Sequence, residues 1–242
     1  MEPNKSAILF IGGEGPRSEL CKGLIKKGDL IIAADSGLLK AEDFGFKPDW
    51  IIGDMDSLED LSRLSTYPKD IILQYPVDKD YTDTELALHL AWEKGCTDIT
   101  MVGGGGGRTD HLLAITALFD RPRAPQRWFT ETEMILAIEN QLHLSVPKDT
   151  LFSLFPVGDG PWQVESTGLR WPLSGLQWRR GFFGLSNRTT QSFCEIRVYS
   201  GRFLAILPLE AFRTGKLGSF GSLQGKNCGE PDKSDNLPEA PN

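Results

Sequence analysis

Two pairs of aspartates follow the ends of predicted strands, where their side chains could hold a metal ion. Asp54 and Asp56 come directly after an apolar run that ends at Gly53, and Asp80 and Asp83 follow a later strand. If the backbone stays extended past Gly53, the period of two points Asp54 and Asp56 the same way. Carboxylates this close repel each other unless a cation lies between them, and Mg²⁺ is usually held by one or two carboxylates plus substrate phosphates. The sequence therefore predicts a Mg²⁺ site formed by Asp54 and Asp56 with a third carboxylate from the Asp80-x-x-Asp83 motif.

Both acidic motifs also have a simpler explanation. The first is compatible with a solvated loop in which Ser57 caps the next helix. In the second, Thr82 or Asp83 could serve only as a helix cap, with Glu85 favouring the helix dipole. The convergence of a third carboxylate on the first pair favours the metal site over both alternatives.

A run of five glycines, residues 103–107, precedes Arg108 and Asp110. Such a run lets backbone N–H groups approach an anion closely, and the N-terminus of the following helix favours negative charge. Arg108 can then bind phosphate through two parallel hydrogen bonds, while Asp110 could fix Arg108 or contact the ligand. A flexible loop is the alternative, but five glycines cost much conformational entropy. No Gly-Lys-Ser/Thr follows, so the run is not a Walker A loop.

The elements that must position these motifs alternate between strands and helices. The strands are predicted at residues 7–11, 30–34, 50–52, 71–74 and 99–102, with helices at 18–27, 38–44 and 84–94 and a polar helical stretch at 58–64 among the connections. This alternation predicts a parallel sheet with helices on both faces. In such sheets ligands bind beyond the carboxyl ends of the strands, and every polar motif above falls just after a strand.

The pattern changes after the Pro-rich segment 121–125 to short strands and turns, which predicts a small antiparallel β-sandwich or barrel. We predict an N-terminal parallel-sheet α/β domain (residues 1–120), a linker (121–126), a C-terminal antiparallel β-sandwich domain (127–210) and a disordered tail (211–242). The tail is rich in Gly, Ser, Asn and Pro and has too few large apolar residues to offset its ordering entropy. In the second domain Trp171 could be a ligand platform, or else a core or turn residue, and Ser186-Asn187 is typical of a turn.

Composition narrows the function classes. The 242 residues carry a net charge of −7, which argues against a general nucleic-acid-binding surface. Four dispersed cysteines suggest neither a zinc site nor a disulfide framework. The N-terminus leads into a strand rather than a signal sequence, and no apolar run approaches the roughly 20 residues that span a bilayer. We expect a cytoplasmic protein without a membrane partner.

The motifs, taken in order, resemble those of the thiamine pyrophosphokinase family. Each motif alone is weak, but the ordered set is specific, and it runs from about Ala7 to Leu209. The matching segments are Ala34-Asp35-Ser36-Gly37, Gly53-Asp54-Met55-Asp56-Ser57, Lys79-Asp80-x-Thr82-Asp83-x-Glu85, Gly106-Gly107-Arg108-x-Asp110-His111, Arg170-Trp171-Pro172-Leu173 and Ser186-Asn187.

The resemblance implies a homodimer that uses ATP and Mg²⁺, with thiamine sites at the subunit interface. In the family reaction the alcohol of thiamine attacks the β-phosphorus of ATP, giving thiamine diphosphate and AMP. The residue roles that the resemblance implies are catalysis by Asp54, Asp56, Asp80 and Asp83, metal binding by Asp54, Asp56 and Asp83, ATP binding by Asp35, Ser36, Thr82, Gly106, Gly107, Arg108, Asp110 and His111, and thiamine binding by Trp171, Ser186 and Asn187. Asp80 or a metal-site aspartate could take the alcohol proton, and the sequence does not choose between them.

Two other functions are compatible with the same motifs. One is a different Mg²⁺-dependent pyrophosphoryl- or nucleotidyltransferase that acts on another alcohol. The other is an inert nucleotide or thiamine sensor that kept the fold, although the intact carboxylate set argues against it.

Overall fold

The structure, a computed structural model, describes residues 5–21, 23–58 and 60–212. Within them the chain divides into two compact units. The first unit contains the residues up to Ile115 together with Phe129–Glu131, and the second contains Thr116–Trp128 and the residues from Thr132 onward. Of the predicted tail, residues 211 and 212 belong to a 3₁₀ turn, Leu209–Phe212; the remainder lies outside the described residues.

The first unit is an α/β domain with a parallel sheet, as predicted. Its strands lie in the order β5-β1-β2-β3-β4 and pair only in parallel. All five residues of β2 are buried, as expected for a strand covered on both faces. The strands are β1 (Lys5–Phe10), β2 (Leu30–Ala34), β3 (Trp50–Gly53), β4 (Ile72–Gln74) and β5 (Cys96–Val102), and the helices are α1 (Gly37–Asp43), α2 (Asp83–Glu93) and α3 (Thr109–Ala117).

Two predicted helices turn out differently. The helix predicted over residues 18–27 is wrong, because the described residues there form only the 3₁₀ turn Ser18–Leu20. Gly23 has φ = 84°, which a right-handed helix does not permit. The polar helical stretch predicted over residues 58–64 is instead a 3₁₀ helix, Leu61–Thr66, which begins where Asp60 accepts a hydrogen bond from the Ser62 amide.

The second unit is an antiparallel β-sandwich, also as predicted. One sheet has the order β11-β9-β13-β7, and the other has the order β10-β12-β8. The short strand β6 (Arg127–Phe129) precedes them, and they are β7 (Glu133–Ile138), β8 (Gln141–Ser145), β9 (Leu151–Val157), β10 (Gln163–Thr167), β11 (Gly184–Arg188), β12 (Phe193–Ser200) and β13 (Arg202–Pro208).

Strand β11 is the element that the sequence did not predict. Ser186-Asn187 is typical of a turn, yet both residues lie in β11, which pairs with β9. The register shifts between Gly184 and Asn187, and Ser186 has φ = 58°. A β-bulge of this kind places turn-forming residues inside a strand, which explains why the pattern is misleading.

Among the described residues, no helix has the length and apolar composition that crossing a membrane requires.

Candidate active site

Three carboxylates converge beyond the carboxyl ends of neighbouring strands. Asp35 follows β2, Asp54 follows β3, and Asp83 is the first residue of α2. Because β2 and β3 pair in parallel, the residues after them leave the sheet side by side. Asp35, Asp54 and Asp83 each offer one oxygen within 4.8 Å of the others. This all-oxygen set suits Mg²⁺. Of the predicted metal ligands, the structure thus brings Asp54 and Asp83 together.

Gly53 makes room for this carboxylate cluster. Its φ is 141°, a conformation that L side chains rarely adopt. A Cβ added there would overlap Asp35 Oδ1 and would lie 3.2 Å from Asp83 Cγ. The last residue of β3 must therefore lack a side chain if the carboxylates are to meet. Sequence reasoning used Gly53 only as the end of a strand and missed this role.

Lys79 supplies the positive charge within the cluster. Its Nζ lies 2.8 Å from Asp54 Oδ2 and 3.1 Å from Asp83 Oδ1. The Lys79 side chain is only 8% exposed, so little water screens these ion pairs. Sequence reasoning gave Lys79 no role, because its contact with Asp54 joins loops that are far apart in the sequence.

Burial, hydrogen bonds and neighbouring charges shift the pKa values of the residues in the cluster. Burial, reinforced by a hydrogen bond with Asp83, raises the pKa of Asp35 to about 8. Burial alone would also raise the pKa of Asp54, but the hydrogen bond from Lys79 and the Asp56 amide outweigh it and lower that pKa. Burial lowers the pKa of Lys79, yet its bonds to Asp54 and Asp83 more than compensate, so the pKa is raised. Asp35 is therefore the member of the cluster that carries a proton at neutral pH.

Asp56 lies beside the cluster and not in it. The expectation of an extended backbone after Gly53 is wrong, because Met55 turns to φ = 66°. The Met55 side chain is buried, and its amide donates to Asp35 Oδ1 at 3.0 Å. Asp56 stays next to Asp54, to whose Oδ1 its amide donates at 3.2 Å. Its roles as metal ligand and catalytic residue remain predictions.

Two other predicted site residues, Thr82 and Ser36, form local hydrogen bonds, whereas a third, Asp80, is exposed. Thr82 forms a capping box with Glu85 at the start of α2, so the cap explanation is correct for this residue. The Ser36 amide donates to Ser57 Oγ at 3.2 Å, which ties the loop after β2 to the loop after β3. Asp80 is exposed and lies outside the carboxylate cluster. ATP contacts by Ser36 and Thr82 and catalysis by Asp80 remain predictions.

The glycine run is only partly available to a ligand. The Gly104 amide donates to the Gly12 carbonyl at 2.7 Å, and Gly105 exchanges two hydrogen bonds with Glu14, at 2.6 and 2.8 Å. Residues 106–107 lie outside this pairing, with φ values of 65° and 62°. The first part of the run therefore anchors the loop, and the last two glycines are the part suited to an anion.

Arg108 is held by Asp110 at the end of the run. Arg108 Nε lies 3.1 Å from Asp110 Oδ1, and Arg108 Nη2 lies 2.6 Å from Asp110 Oδ2. The hydrogen bond from Arg108 lowers the pKa of Asp110 to about 2. The exposed His111 donates its amide to Asp110 Oδ1 at 3.0 Å. Of the two predicted roles for Asp110, the structure places it as the partner that orients Arg108.

In the second unit, Trp171 is a surface residue. It is 55% exposed, so its interpretation as a core residue is wrong. The Arg170 guanidinium carbon lies 5.6 Å from the centre of its ring, which is a distance typical of cation–π contacts. Asn187 is buried, accepts the Trp171 amide at 3.2 Å and donates to the Trp171 carbonyl at 2.7 Å. Asn187 thus positions Trp171, while Ser186 remains exposed beside it. Contacts of these residues with thiamine remain predictions.

The two-domain fold is shared with several solved structures. The thiamine pyrophosphokinase of Bacillus subtilis has a TM-score of 0.71 at 24% identity, covering 84% of this chain and 99% of its own. The enzyme of Candida albicans has a TM-score of 0.63 at 18% identity, covering 85% and 89%. At these identities the likeness concerns the fold. The structure from Geobacillus thermodenitrificans has a TM-score of 0.64 at 26% identity, covering 84% and 96%.

Sequence comparisons find similarity to one family. The family model described as thiamin pyrophosphokinase, catalytic domain, matches residues 21–127. A curated relative, thiamine pyrophosphokinase of Bacillus subtilis (strain 168), is 28% identical over 181 residues, which is 69% of this chain and 81% of the relative. The fold and the site therefore define a two-domain α/β and β-sandwich protein with a carboxylate site beyond its parallel strands. These comparisons confirm the resemblance to the thiamine pyrophosphokinase family.

Proposed function

We propose that this protein transfers pyrophosphate from ATP to the hydroxyl of thiamine, giving thiamine diphosphate and AMP. The observation that carries the proposal is the cluster of Asp35, Asp54 and Asp83 beyond the parallel strands, in a chain whose residues 21–127 match the family's catalytic-domain model. Phosphoryl transfer asks a protein mainly for positioning and charge stabilisation, and the cluster and the glycine run offer both. A cytoplasmic location, where ATP is available, belongs to the same proposal.

The residues present fit a Mg²⁺ ion, because three carboxylates meet in a space that Gly53 leaves open and a lysine ammonium already lies among them. Asp35, Asp54 and Asp83 would hold the ion, with Asp56 beside them. The predicted set of Asp54, Asp56 and Asp83 is thus extended by Asp35, which the sequence assigned to ATP. When bound, the ion neutralises polyphosphate charge and orients the phosphates.

The remaining residues act on ATP and on the alcohol. Arg108 is released from Asp110 when it binds polyphosphate through its guanidinium fork, and the amides of residues 106–107 support the same oxygens. Asp56 is a candidate acceptor of the thiamine hydroxyl proton, because it lies beside Asp54 at the cluster and because the hydrogen bond with Asp54 and the charge of Asp54 raise its pKa. Asp80 is the alternative acceptor.

Thiamine recognition belongs to the second unit. The exposed face of Trp171 attracts cations, as the position of Arg170 beside it indicates. The thiazolium ring of thiamine is a cation, so Trp171 is a suitable platform for it. Ser186 lies exposed in the neighbouring strand and offers a hydroxyl.

We also propose that the protein is a homodimer, as the resemblance implies. In the second unit, large apolar side chains are exposed at Trp171, Phe183 and Leu185. Strand β11, which carries Leu185, is at the edge of its sheet in this unit. A second copy that covers this surface would remove apolar area from water. Light scattering after gel filtration tests this state, and a monomer at micromolar concentration would contradict it.

The decisive experiment is a coupled assay of AMP formation with and without thiamine. We expect AMP release that requires both Mg²⁺ and thiamine. Asp54→Asn should lower turnover by orders of magnitude, since it removes a charge from the cluster, and the control Asp70→Asn, at an exposed position, should not. Release of AMP with another alcohol but not with thiamine would favour a different transferase. Binding of both ligands without turnover would favour a sensor.

A further inference from the structure

Lys79 lies against two of the three carboxylates that could hold a metal ion. Its ammonium contacts Asp54 Oδ2 at 2.8 Å and Asp83 Oδ1 at 3.1 Å, and these residues are two of the three members of the carboxylate cluster. The side chains of Asp54 and Asp83 are 9% and 19% exposed, so the contacts are mostly shielded from water. An ammonium at this point satisfies the same carboxylates that a divalent cation requires.

Two cations cannot share these carboxylates without cost. The charge of Mg²⁺ would repel the ammonium at the distance of a common ligand, and in a poorly solvated site that repulsion is strong. Mg²⁺ also demands short, near-octahedral bonds to oxygen, which a donor already pointing at Asp54 and Asp83 obstructs. Binding of the metal would therefore be easier if Lys79 left at least one of these residues.

We propose that Lys79 is an internal counter-ion that competes with Mg²⁺ for Asp54 and Asp83. In the metal-free protein it holds the two carboxylates together, and it lowers the affinity of the site for free Mg²⁺. The inference rests on the proposed function, because Mg²⁺ arrives there together with the ATP polyphosphate. The polyphosphate supplies further oxygen ligands to the metal and is an anionic partner for the displaced ammonium. The site is thereby made selective for the metal–nucleotide complex over the free metal ion.

A purely structural lysine would behave in the opposite way. If Lys79 only assembled the site, its removal would let Asp54 and Asp83 move apart, and the affinity for Mg²⁺ would fall. If Lys79 is a competitor, its removal frees the carboxylates and raises that affinity. The direction of the change therefore separates the two roles without any measurement of turnover.

The test is a calorimetric titration of Mg²⁺ alone, without ATP or thiamine, into the full chain. Lys79→Met removes the charge, and Lys79→Gln removes the charge but keeps a hydrogen-bond donor. Lys69→Met is the matched control, because Lys69 is exposed in the 3₁₀ turn Lys69–Ile71 of the same unit and its loss changes the net charge equally. We expect Mg²⁺ to bind about 10-fold more tightly, or better, to both Lys79 variants than to the wild type or the control.

Unchanged or weaker Mg²⁺ binding by both Lys79 variants would overturn the proposal. Melting curves in EDTA and in millimolar Mg²⁺ accompany the titration. We expect the variants to melt below the wild type in EDTA and to gain more from Mg²⁺ than the wild type gains. Failure of both variants to fold even in Mg²⁺ would also overturn the proposal. The proposed function fails separately: a wild type that releases no AMP from ATP and thiamine would refute it while the competition for Mg²⁺ still held.

Discussion

Replacing Gly53 with alanine is the sharpest test of the carboxylate cluster. The new Cβ would overlap Asp35 Oδ1, 2.8 Å from Asp35 Cγ and 3.2 Å from Asp83 Cγ. Asp35 would have to move away, which separates it from the other carboxylates. The backbone contributes as well, since φ = 141° belongs to a region that costs an L residue about 1–3 kcal/mol. We expect Gly53→Ala to lose about 3 kcal/mol of unfolding free energy and to bind Mg²⁺ at least about 10-fold more weakly.

Gly45 offers a matched control for this substitution. Its φ is 73°, so alanine is strained there too, but a Cβ at this position meets nothing within 4 Å. Gly45→Ala should cost about 1–2 kcal/mol of unfolding free energy and leave Mg²⁺ binding unchanged. Urea unfolding and Mg²⁺ calorimetry on both variants separate backbone strain from loss of the cluster. If Gly53→Ala matches Gly45→Ala in both measurements, the assignment of Gly53 as the residue that makes room for the carboxylates is wrong.

Three further predictions concern pH, thiamine and ATP. Burial raises the pKa of Asp35 from 3.8 to about 8, so the metal-free folded state holds a proton that the unfolded chain has released, and its unfolding free energy should fall as pH rises between these values. Urea unfolding in EDTA measures this slope; Asp35→Asn should remove it, and persistence of the slope would exclude Asp35 as its source. Trp171→Ala should weaken thiamine binding about 2- to 30-fold with ATP-analogue binding unchanged; titrations that show equal losses, with a collapsed melting temperature, would restore a structural role. Arg108→Lys keeps the positive charge but loses the two parallel N–H donors of the guanidinium group, so the KM for ATP should rise about 10-fold in steady-state assays. An unchanged KM would argue against the polyphosphate contact.

The sequence predicted where the site lies better than how its side chains are directed. Asp54 and Asp83 meet because they follow strand ends of a parallel sheet, and alternating strands and helices are visible in the sequence. The turn at Met55 is not visible, because it depends on burial of the Met55 side chain and on a hydrogen bond to Asp35. That turn sets Asp56 beside the cluster, and the cluster contains Asp35 instead.

Other differences between prediction and structure arise from long-range contacts. Ser186 and Asn187 have the local preferences of a turn, yet pairing with β9 and the burial of Asn187 place them in a strand. Cross-strand pairing can override local preference in this way. Lys79 was missed for a similar reason, since its contact with Asp54 joins positions 25 residues apart.

In the glycine run, Gly104 pairs with Gly12, and Gly105 pairs with Glu14. Because of this pairing, the length of the run matters as much as its composition. These bonds fix the register of the loop, so residues 106–107 are the spacer between the anchored glycines and Arg108. Deleting one glycine would draw Arg108 back by up to about 3.5 Å, the reach of one residue. A substitution at Gly107, whose added Cβ meets nothing within 4 Å, changes only the local backbone preference. Among relatives of this chain, gaps within the run should therefore be rarer than replacements at its last position.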